Sequence, residues 1–373
     1  KKGKVQKLNL INIDIKAAYS SYPGEDSHCY AGGIAGINDG EIKNCEVSFG
    51  TVEAANAHTV FAGGVAGWNR QGTIKGCANL TTVNVSSSEG SDAVAGGIAG
   101  ENFGTIESCF NEGSISAQCE DGAHAGGITG YTYKCTIKDC FNTGGISSDG
   151  KYFASAGGIV GTCDALSKVS TCYNIGQISA QITNEAGEEG TIKGAGGIAG
   201  TLTTGQSGYV RDCYYLDSSA DDGIGYFDGS IPAVLPVEGS DGAFRSEAFF
   251  VNFDFVKNWY FRPAGEYPYP HLREFLKTYK LTVKAAPSKG DKIGGTAVID
   301  GEYGERLMPG AIVPLKATAN EGYYFLNWTV NGEVVSEQEE FIYMMPARNV
   351  TIQANFVAEA PETYALHLSV EPS

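Results

Sequence analysis

Ten cysteines and five histidines are the residues with the most chemistry to offer in this chain. Six of the cysteines form a series, Cys45, Cys77, Cys109, Cys140, Cys172 and Cys213, at intervals of 32, 32, 31, 32 and 41 residues. Cys29, Cys119, Cys135 and Cys163 stand outside it. No C-x-x-C pair occurs, which argues against a thiolate zinc site. Neighbouring rungs of a parallel ladder also have poor Cβ geometry for S–S bonding. Cys135 and Cys163, in comparable connections of adjacent repeats, are the pair that a disulfide could join. The histidines (28, 58, 124, 271 and 367) sit at unrelated offsets, so they suggest no shared metal site. H-E-x-x-H, G-x-S-x-G and the P-loop are all absent. A glycosidase or lyase needs two facing carboxylates. Asp139 and Asp212 share a slot, but two repeats apart with Thr171 between them. The acidic stretch DSSADDGIGYFDG (217–229) has oxygen ligands for calcium but lacks the EF-hand glycine spacing, and reads as a solvated loop. The residues therefore predict no catalytic, cofactor-binding or metal-binding site, and no enzyme.

What positions these residues is a repeat. A-G-G-[IV]-x-G occurs six times, its Gly-Gly pairs beginning at Gly32, Gly63, Gly96, Gly126, Gly157 and Gly196. Each is followed 12 to 16 residues later by one cysteine of the series, then by a G-x-I type stretch such as FNEGSIS. The interval to the next A-G-G is ten residues from Val52, Val85, Ile115 and Ile146, and longer from Ile15 and Ile178. Val5, Leu8 and Ile15 repeat the spacing of Ile42, Cys45 and Val52, so Leu8 fills the cysteine slot of a first, incomplete unit.

A period near 32 suits helical arrays as well as β-solenoids. Here every unit has four or more glycines and short two-residue apolar bursts, with no ten-residue stretch of 3.6 periodicity. Short strands between Gly, Asn, Asp and Ser are what such residues favour. The sequence predicts an all-β protein, a parallel β-helix of about seven coils with about three strands per coil, closed by a C-terminal cap with a short helix near 246–253. The residue before each cysteine is Asn44, Gly76, Ser108, Asp139, Thr171 or Asp212, mostly turn formers. A bend there would turn both the preceding Ile and the Cys inward, making Cys45, Cys77, Cys109, Cys140, Cys172 and Cys213 a buried column of small apolar side chains. Phe110, Phe141, Tyr173 and Tyr214 follow the cysteines in four consecutive coils, and Asn79, Asn111, Asn142 and Asn174 lie two past them. The Asn column suits corner positions where stacked amides hydrogen-bond. The aromatic column is either core packing, the favoured reading, or an outward stripe marking a partner surface.

The net charge of −17 argues against a nucleic-acid partner, and no apolar run approaches the ~20 residues of a membrane span. The chain begins at Lys1 without Met and breaks off in mid-pattern, so it reads as an excised piece.

The run A-G-G-I-A-G-x-N-x-G-x-I-x-x-C with F-N-x-G-x-I-S resembles the GLUG repeat of bacterial surface proteins, which also occurs in non-catalytic parts of immunoglobulin-A metallopeptidases. WYFRPAGEYPYPHL (259–272) resembles the tail that often closes such arrays. YKLTVKAAPS, GYYFLNW and MPARNVTIQANF, within 279–357, resemble a divergent internalin-type B-repeat, and YALHLSVEPS (364–373) echoes 279–288 at an offset of 85. In that module Tyr324, Phe325 and Trp328 are expected in the core of five or six strands. The expected domains are a GLUG-type β-helix at 1–216, a cap and linker at 217–278, the B-repeat domain at 279–357, and a linker with a truncated second repeat at 358–373. The resemblance implies a non-enzymatic, extracellular bacterial scaffold or adhesin, cell-surface or secreted and monomeric. Its partners would be a host or cell-wall protein or glycan. The longer connections, 16–30 and 179–194, are the expected contact loops. A non-catalytic region of a large secreted peptidase and a carbohydrate-active β-helix are the alternatives.

Overall fold

A computed structural model describes residues 3–18, 27–55, 58–87, 92–183, 191–203, 209–229, 235–262, 267–289, 292–301, 303, 306–308, 311–346 and 348–358. The chain divides into two compact units, Lys1–Phe275 and Leu276–Ser373.

The first unit is a parallel β-helix, but each coil turns through four faces rather than three. Face A runs from Lys4–Gln6 to Tyr209–Arg211 and face B from Asn9–Ala18 to Tyr214–Leu216. Face C runs from His28–Gly32 to Ile192–Gly196, and face D from Ala35–Asn38 to Ile224–Asp228. The extra face arises because A-G-G-[IV]-x-G is a corner and not a strand: the chain leaves face C at the first glycine and joins face D three residues later. Space forces the glycines there. In the third coil a Cβ on Gly96 would overlap the Ala99 carbonyl of its own corner. One on Gly97 would sit 2.5 Å from the Asn111 amide carbon, and one on Gly100 would be 2.9 Å from the Ala62 nitrogen of the coil before.

The bend before the cysteine forms as expected. Asn44, Ser108, Asp139, Thr171 and Asp212 all have φ between +50° and +53°, and Gly76 has +62°. This left-handed residue breaks the strand alternation, so Ile106 and Cys109, three apart, both point inward and are fully buried. Thr171 is the costly member, because a β-branched side chain crowds this conformation. Two apolar cores result. One joins Ile74, Ile98, Ile106, Ile128 and the cysteine column; the other joins Val83, Val85, Ala93, Ala95 and Ile115 with their counterparts.

Register corrects several expectations. Val83, not Val85, lies beside Val52 and Ile115, so the third coil's connection is two residues longer than ten. The first coil is complete, with a strand on every face. The acidic stretch is only partly loop: Ile224–Asp228 extends face D beside Ala199–Thr203, and Val237–Gly239 extends face B beside Tyr214–Leu216. The solenoid thus runs to 239 rather than 216. The helix expected near 246–253 is instead a single turn at Asp241–Phe244, with a 3₁₀ turn at Glu247–Phe249. Ser240 caps the single turn by accepting from the Ala243 N–H at 3.3 Å.

In the second unit a five-stranded sheet (Arg306–Leu307, Tyr279–Ala286, Val350–Val357, Tyr324–Val330, Glu333–Ser336) packs with a three-stranded one (Gly295–Ile299, Ile312–Ala319, Glu340–Met344). Tyr279–Ala286 and Val350–Val357 pair in parallel at the centre. Trp328 is fully buried and Phe325 partly so, while Tyr324, expected in the core, is 49% exposed. Alternation decides this, since 324 and 328 are not on the same face once the strand shifts register between Phe325 and Asn327. The echo at 364–373 lies outside the described residues.

Candidate binding surface

All ten cysteines are buried free thiols. In the series each sulfur donates to the carbonyl two residues back, over the left-handed bend: Cys45 to Lys43 at 3.2 Å, Cys109 to Glu107 at 3.2 Å, Cys172 to Ser170 at 3.1 Å. The same carbonyls also accept a backbone N–H from the coil before, Lys75 from Asn44 at 2.9 Å and Glu107 from Gly76 at 3.1 Å, so the thiol is a second donor to an oxygen already in the ladder. Desolvation, then the hydrogen bond with the next thiol, holds Cys109, Cys140 and Cys172 well above the ordinary range. Burial also pushes Cys135 up to about 12. These thiols lack the thiolate character that nucleophilic or metal chemistry requires. Leu8, in the first rung, is 37% exposed at the open end of the column.

The Asn column is internal and continuous. Asn79, Asn111 and Asn142 each donate to the next amide oxygen, at 2.7, 2.7 and 2.8 Å, ending on Ser219 beyond Asn174. The second amide proton of each goes to a carbonyl two residues on, as from Asn111 to Gly113 at 2.8 Å. The second glycines of the A-G-G corners, Gly64, Gly97, Gly127 and Gly158, press against these amides. This waist separates the two cores. A shorter ladder on face D runs Asn38, Asn69, Asn102 at 2.8 and 2.7 Å.

The aromatic column is no free surface. Phe110, Phe141, Tyr173 and Tyr214 do project away from the cysteine core, and their rings stack, at 4.8 Å between Phe110 and Phe141 and 5.1 Å between Phe141 and Tyr173. Residues 241–262 and 267–275, however, run back along this side of the helix and bury all four. Phe249 and Phe250 meet Tyr214, Trp259 meets Tyr173 and Phe141, and Phe275 meets Phe110. The expected end cap is therefore a side strap, and the partner-surface reading of Phe110, Phe141, Tyr173 and Tyr214 is corrected. The bend residues anchor it. Asp139 accepts from Asn258 Nδ2 at 3.0 Å and Trp259 Nε1 at 3.3 Å, and Asp212 accepts from Asn252 Nδ2 at 3.0 Å. The two carboxylates weighed above as catalytic candidates are thus hydrogen-bond acceptors for the strap.

A different surface emerges where faces C and D meet. Their inward side chains serve different cores, so their outward ones converge across a re-entrant angle. Face C contributes Tyr30, Phe61, Val94, His124 and Ser155, each just before an A-G-G; face D contributes Ile37, Trp68, Glu101, Tyr131 and Thr162, each just after the third glycine. Tyr30 stacks on Phe61 at 5.0 Å and on Trp68 at 5.6 Å, and Phe103 and Tyr133 continue the aromatic run. Further along, His124 Nδ1 lies 2.8 Å from Thr162 Oγ1 and its Nε2 lies 3.4 Å from Asp92. Between these regions stands Glu101, beside Trp68 and Tyr131 in register. Desolvation, and then the Asp92 charge, raises its carboxyl to about 7. Glu101 has no hydrogen-bond or ion-pair partner among the described residues, and the buried Trp68 Nε1 has none either. A fixed offset from the A-G-G motif could have revealed this row; variation of residue type along it hid the pattern.

Among the described residues no group of three or more His, Cys, Asp or Glu could hold a metal, and no helix is long and apolar enough to cross a membrane. Of the expected contact loops, 19–26 and 184–190 lie outside the described residues.

No curated protein matches the chain. A 1.30 Å crystal structure from Bacteroides ovatus, provisionally described as an immunoglobulin A1 protease, is 18% identical over 71% of this chain and 75% of that one, with a TM-score of 0.44. A likeness of that size carries no argument about function. Residues 279–360 match the divergent InlB B-repeat domain, the family that the 279–357 motifs resemble.

Proposed function

We propose that this chain is a non-enzymatic segment of an extracellular bacterial surface or secreted protein. On this reading a GLUG-type β-helix is a rigid frame that presents a partner-binding surface, joined in sequence to a B-repeat module. The observation that supports it most is where the chemistry goes. Cysteines, asparagines and the bend aspartates are absorbed in buried ladders and in holding the strap. The surface proposed to meet a host or cell-wall protein or glycan is the C/D valley around Tyr30, Trp68, Glu101 and Tyr131, where rings and an unpartnered carboxylate stand side by side. The chain works as a monomer without cofactor, and its acidic charge keeps it off anionic polymers.

Binding of the purified chain to glycan and host-matrix arrays tests this, with Trp68→Ala and Glu101→Gln as variants. Loss of a ligand in both variants, with folding intact, supports the valley; ligands unaffected by either would place the contact elsewhere. One observation favours a second reading, a carbohydrate-active enzyme: Glu101, held near neutrality, feels Asp92 on the same coil, an acid–carboxylate pairing seen in glycoside hydrolysis. Turnover of any polysaccharide, abolished by Glu101→Gln, would sink the scaffold reading.

A further inference from the structure

The row at the centre of the C/D valley is short of a cation. Trp68, Glu101 and Tyr131 are neighbours in register on three successive coils, so a carboxylate stands between two rings, with about 4.8 Å from rung to rung. Glu101 is half-buried and makes no hydrogen bond or ion pair among the described residues. Further carboxylates lie nearby. Asp92 acts on it from face C, and burial followed by the charges of Asp164, Glu101 and Asp92 pushes up the Tyr131 phenol. On the other side burial, and then Glu101, pushes up the Tyr30 phenol. The positive groups along the valley are engaged elsewhere. Arg70 donates from Nε to Asp39 at 2.9 Å and from Nη2 to the second oxygen of the same carboxylate. Lys134 lies over the Tyr133 ring at 4.8 Å, and His124 is held between Thr162 and Asp92.

A desolvated carboxylate is stable with a proton or with a cation beside it. Arg70 shows which cation this surface accommodates. Its guanidinium carbon lies 5.4 Å from the Trp68 ring centroid while its fork holds Asp39, so one coil before Glu101 a guanidinium already joins a ring to a carboxylate. Guanidinium is weakly hydrated, stacks on aromatic faces and pairs with a carboxylate through two parallel bonds, which suits a half-buried site better than an ammonium does. The Trp68 ring, by contrast, is no open platform for a sugar, because Tyr30 stacks on it at 5.6 Å and Arg70 lies over it.

We propose that the ligand of the valley is a protein segment presenting an arginine, whose guanidinium pairs with the Glu101 carboxylate and lies against the Tyr131 ring. This rests on the reading of the valley as the binding surface. The net charge of −17 favours the approach of such a basic segment. Because the Glu101 carboxyl is pushed up to about 7, part of the population carries a proton at neutral pH, and the arriving guanidinium displaces it to solvent. The pair therefore forms more readily as pH rises.

The chain has three tryptophans, and the Trp259 and Trp328 indoles donate to Asp139 and to the Gln338 carbonyl, so the Trp68 indole N–H signal in NMR is a local reporter. The probes are the blocked peptide Gly-Gly-Arg-Gly-Gly, the same peptide with lysine or citrulline at its centre, and a neutral chitin oligosaccharide. Each is titrated into the 373-residue chain at pH 6 and at pH 8. The arginine peptide should move the Trp68 signal saturably and bind about tenfold more tightly at pH 8 than at pH 6. The lysine peptide should bind more weakly. The citrulline peptide, and the arginine peptide on Glu101→Gln, should lose about tenfold or more at pH 8. His28 and His124 also face the valley; the pH dependence should persist with both changed to Gln and vanish in Glu101→Gln. Equal binding of the citrulline or lysine peptide, binding independent of pH, or a Trp68 signal unmoved by the arginine peptide would overturn the proposal. Movement of that signal by the oligosaccharide instead would also overturn it, yet leave the valley as the binding surface. That broader reading fails only if array ligands are indifferent to both Trp68→Ala and Glu101→Gln.

Discussion

Asn111 is the rung on which the inner ladder can be tested most directly. It accepts from Asn79 at 2.7 Å, donates to Asn142 at 2.7 Å and to the Gly113 carbonyl at 2.8 Å, and is fully buried. Asn111→Ala leaves one Asn79 proton, the Asn142 oxygen and the Gly113 carbonyl without these partners. Each unsatisfied buried group costs about 1–3 kcal/mol, so three of them should cost on the order of 3–9 kcal/mol. Asn111→Asp separates hydrogen bonding from shape. It fills the same space and still accepts from Asn79, but it cannot donate and brings a charge into the waist, so it should destabilise at least as much at pH 7. Urea unfolding followed by far-UV circular dichroism, with hydrogen exchange to locate the lost protection, reads both variants. A cost below about 1 kcal/mol for Asn111→Ala, or near-native stability for Asn111→Asp, would refute the ladder argument.

Native protein treated with a thiol reagent should leave Cys45, Cys77, Cys109, Cys140, Cys172 and Cys213 unlabelled until denaturant is added, and rapid native labelling of most of them would contradict the buried column. Trp259→Ala empties a fully buried site at the middle of the strap, which should cost about 3–5 kcal/mol of local stability and open 245–262 to proteolysis; unchanged protease resistance would mean that the aromatic seat does not hold it. Because the folded state binds the Glu101 proton more tightly than the unfolded chain does, its contribution is present at low pH and is lost as pH rises from the ordinary carboxyl range through about 7. Glu101→Gln should flatten that part of the stability–pH curve, and an unaltered slope would show that the carboxyl is not desolvated. Residues 276–358 expressed alone should fold and melt cooperatively around Trp328, and disorder of that fragment would refute its independence.

The sequence determined the repeat, and through it the solenoid. Six A-G-G corners at a near-constant spacing admit a stack of like coils, and the left-handed bend before each cysteine could be read because Asn, Gly, Ser and Asp favour it. Ladders are legible in one dimension because each rung faces its own counterpart one period away. Contacts between unlike parts of the chain are not periodic, and these the tertiary structure decided. Nothing in FNEGSIS says that His271 and Phe275, more than 160 positions later, fold back to cover Phe110, so the outward direction of the ring was readable and its burial was not. Asp139 looked the same in sequence whether it faced solvent, substrate or the Trp259 indole; only the path of the strap chose among them. The C/D valley arose likewise, from the way two faces meet at a corner where a Cβ on Gly100 would crowd the Ala62 backbone.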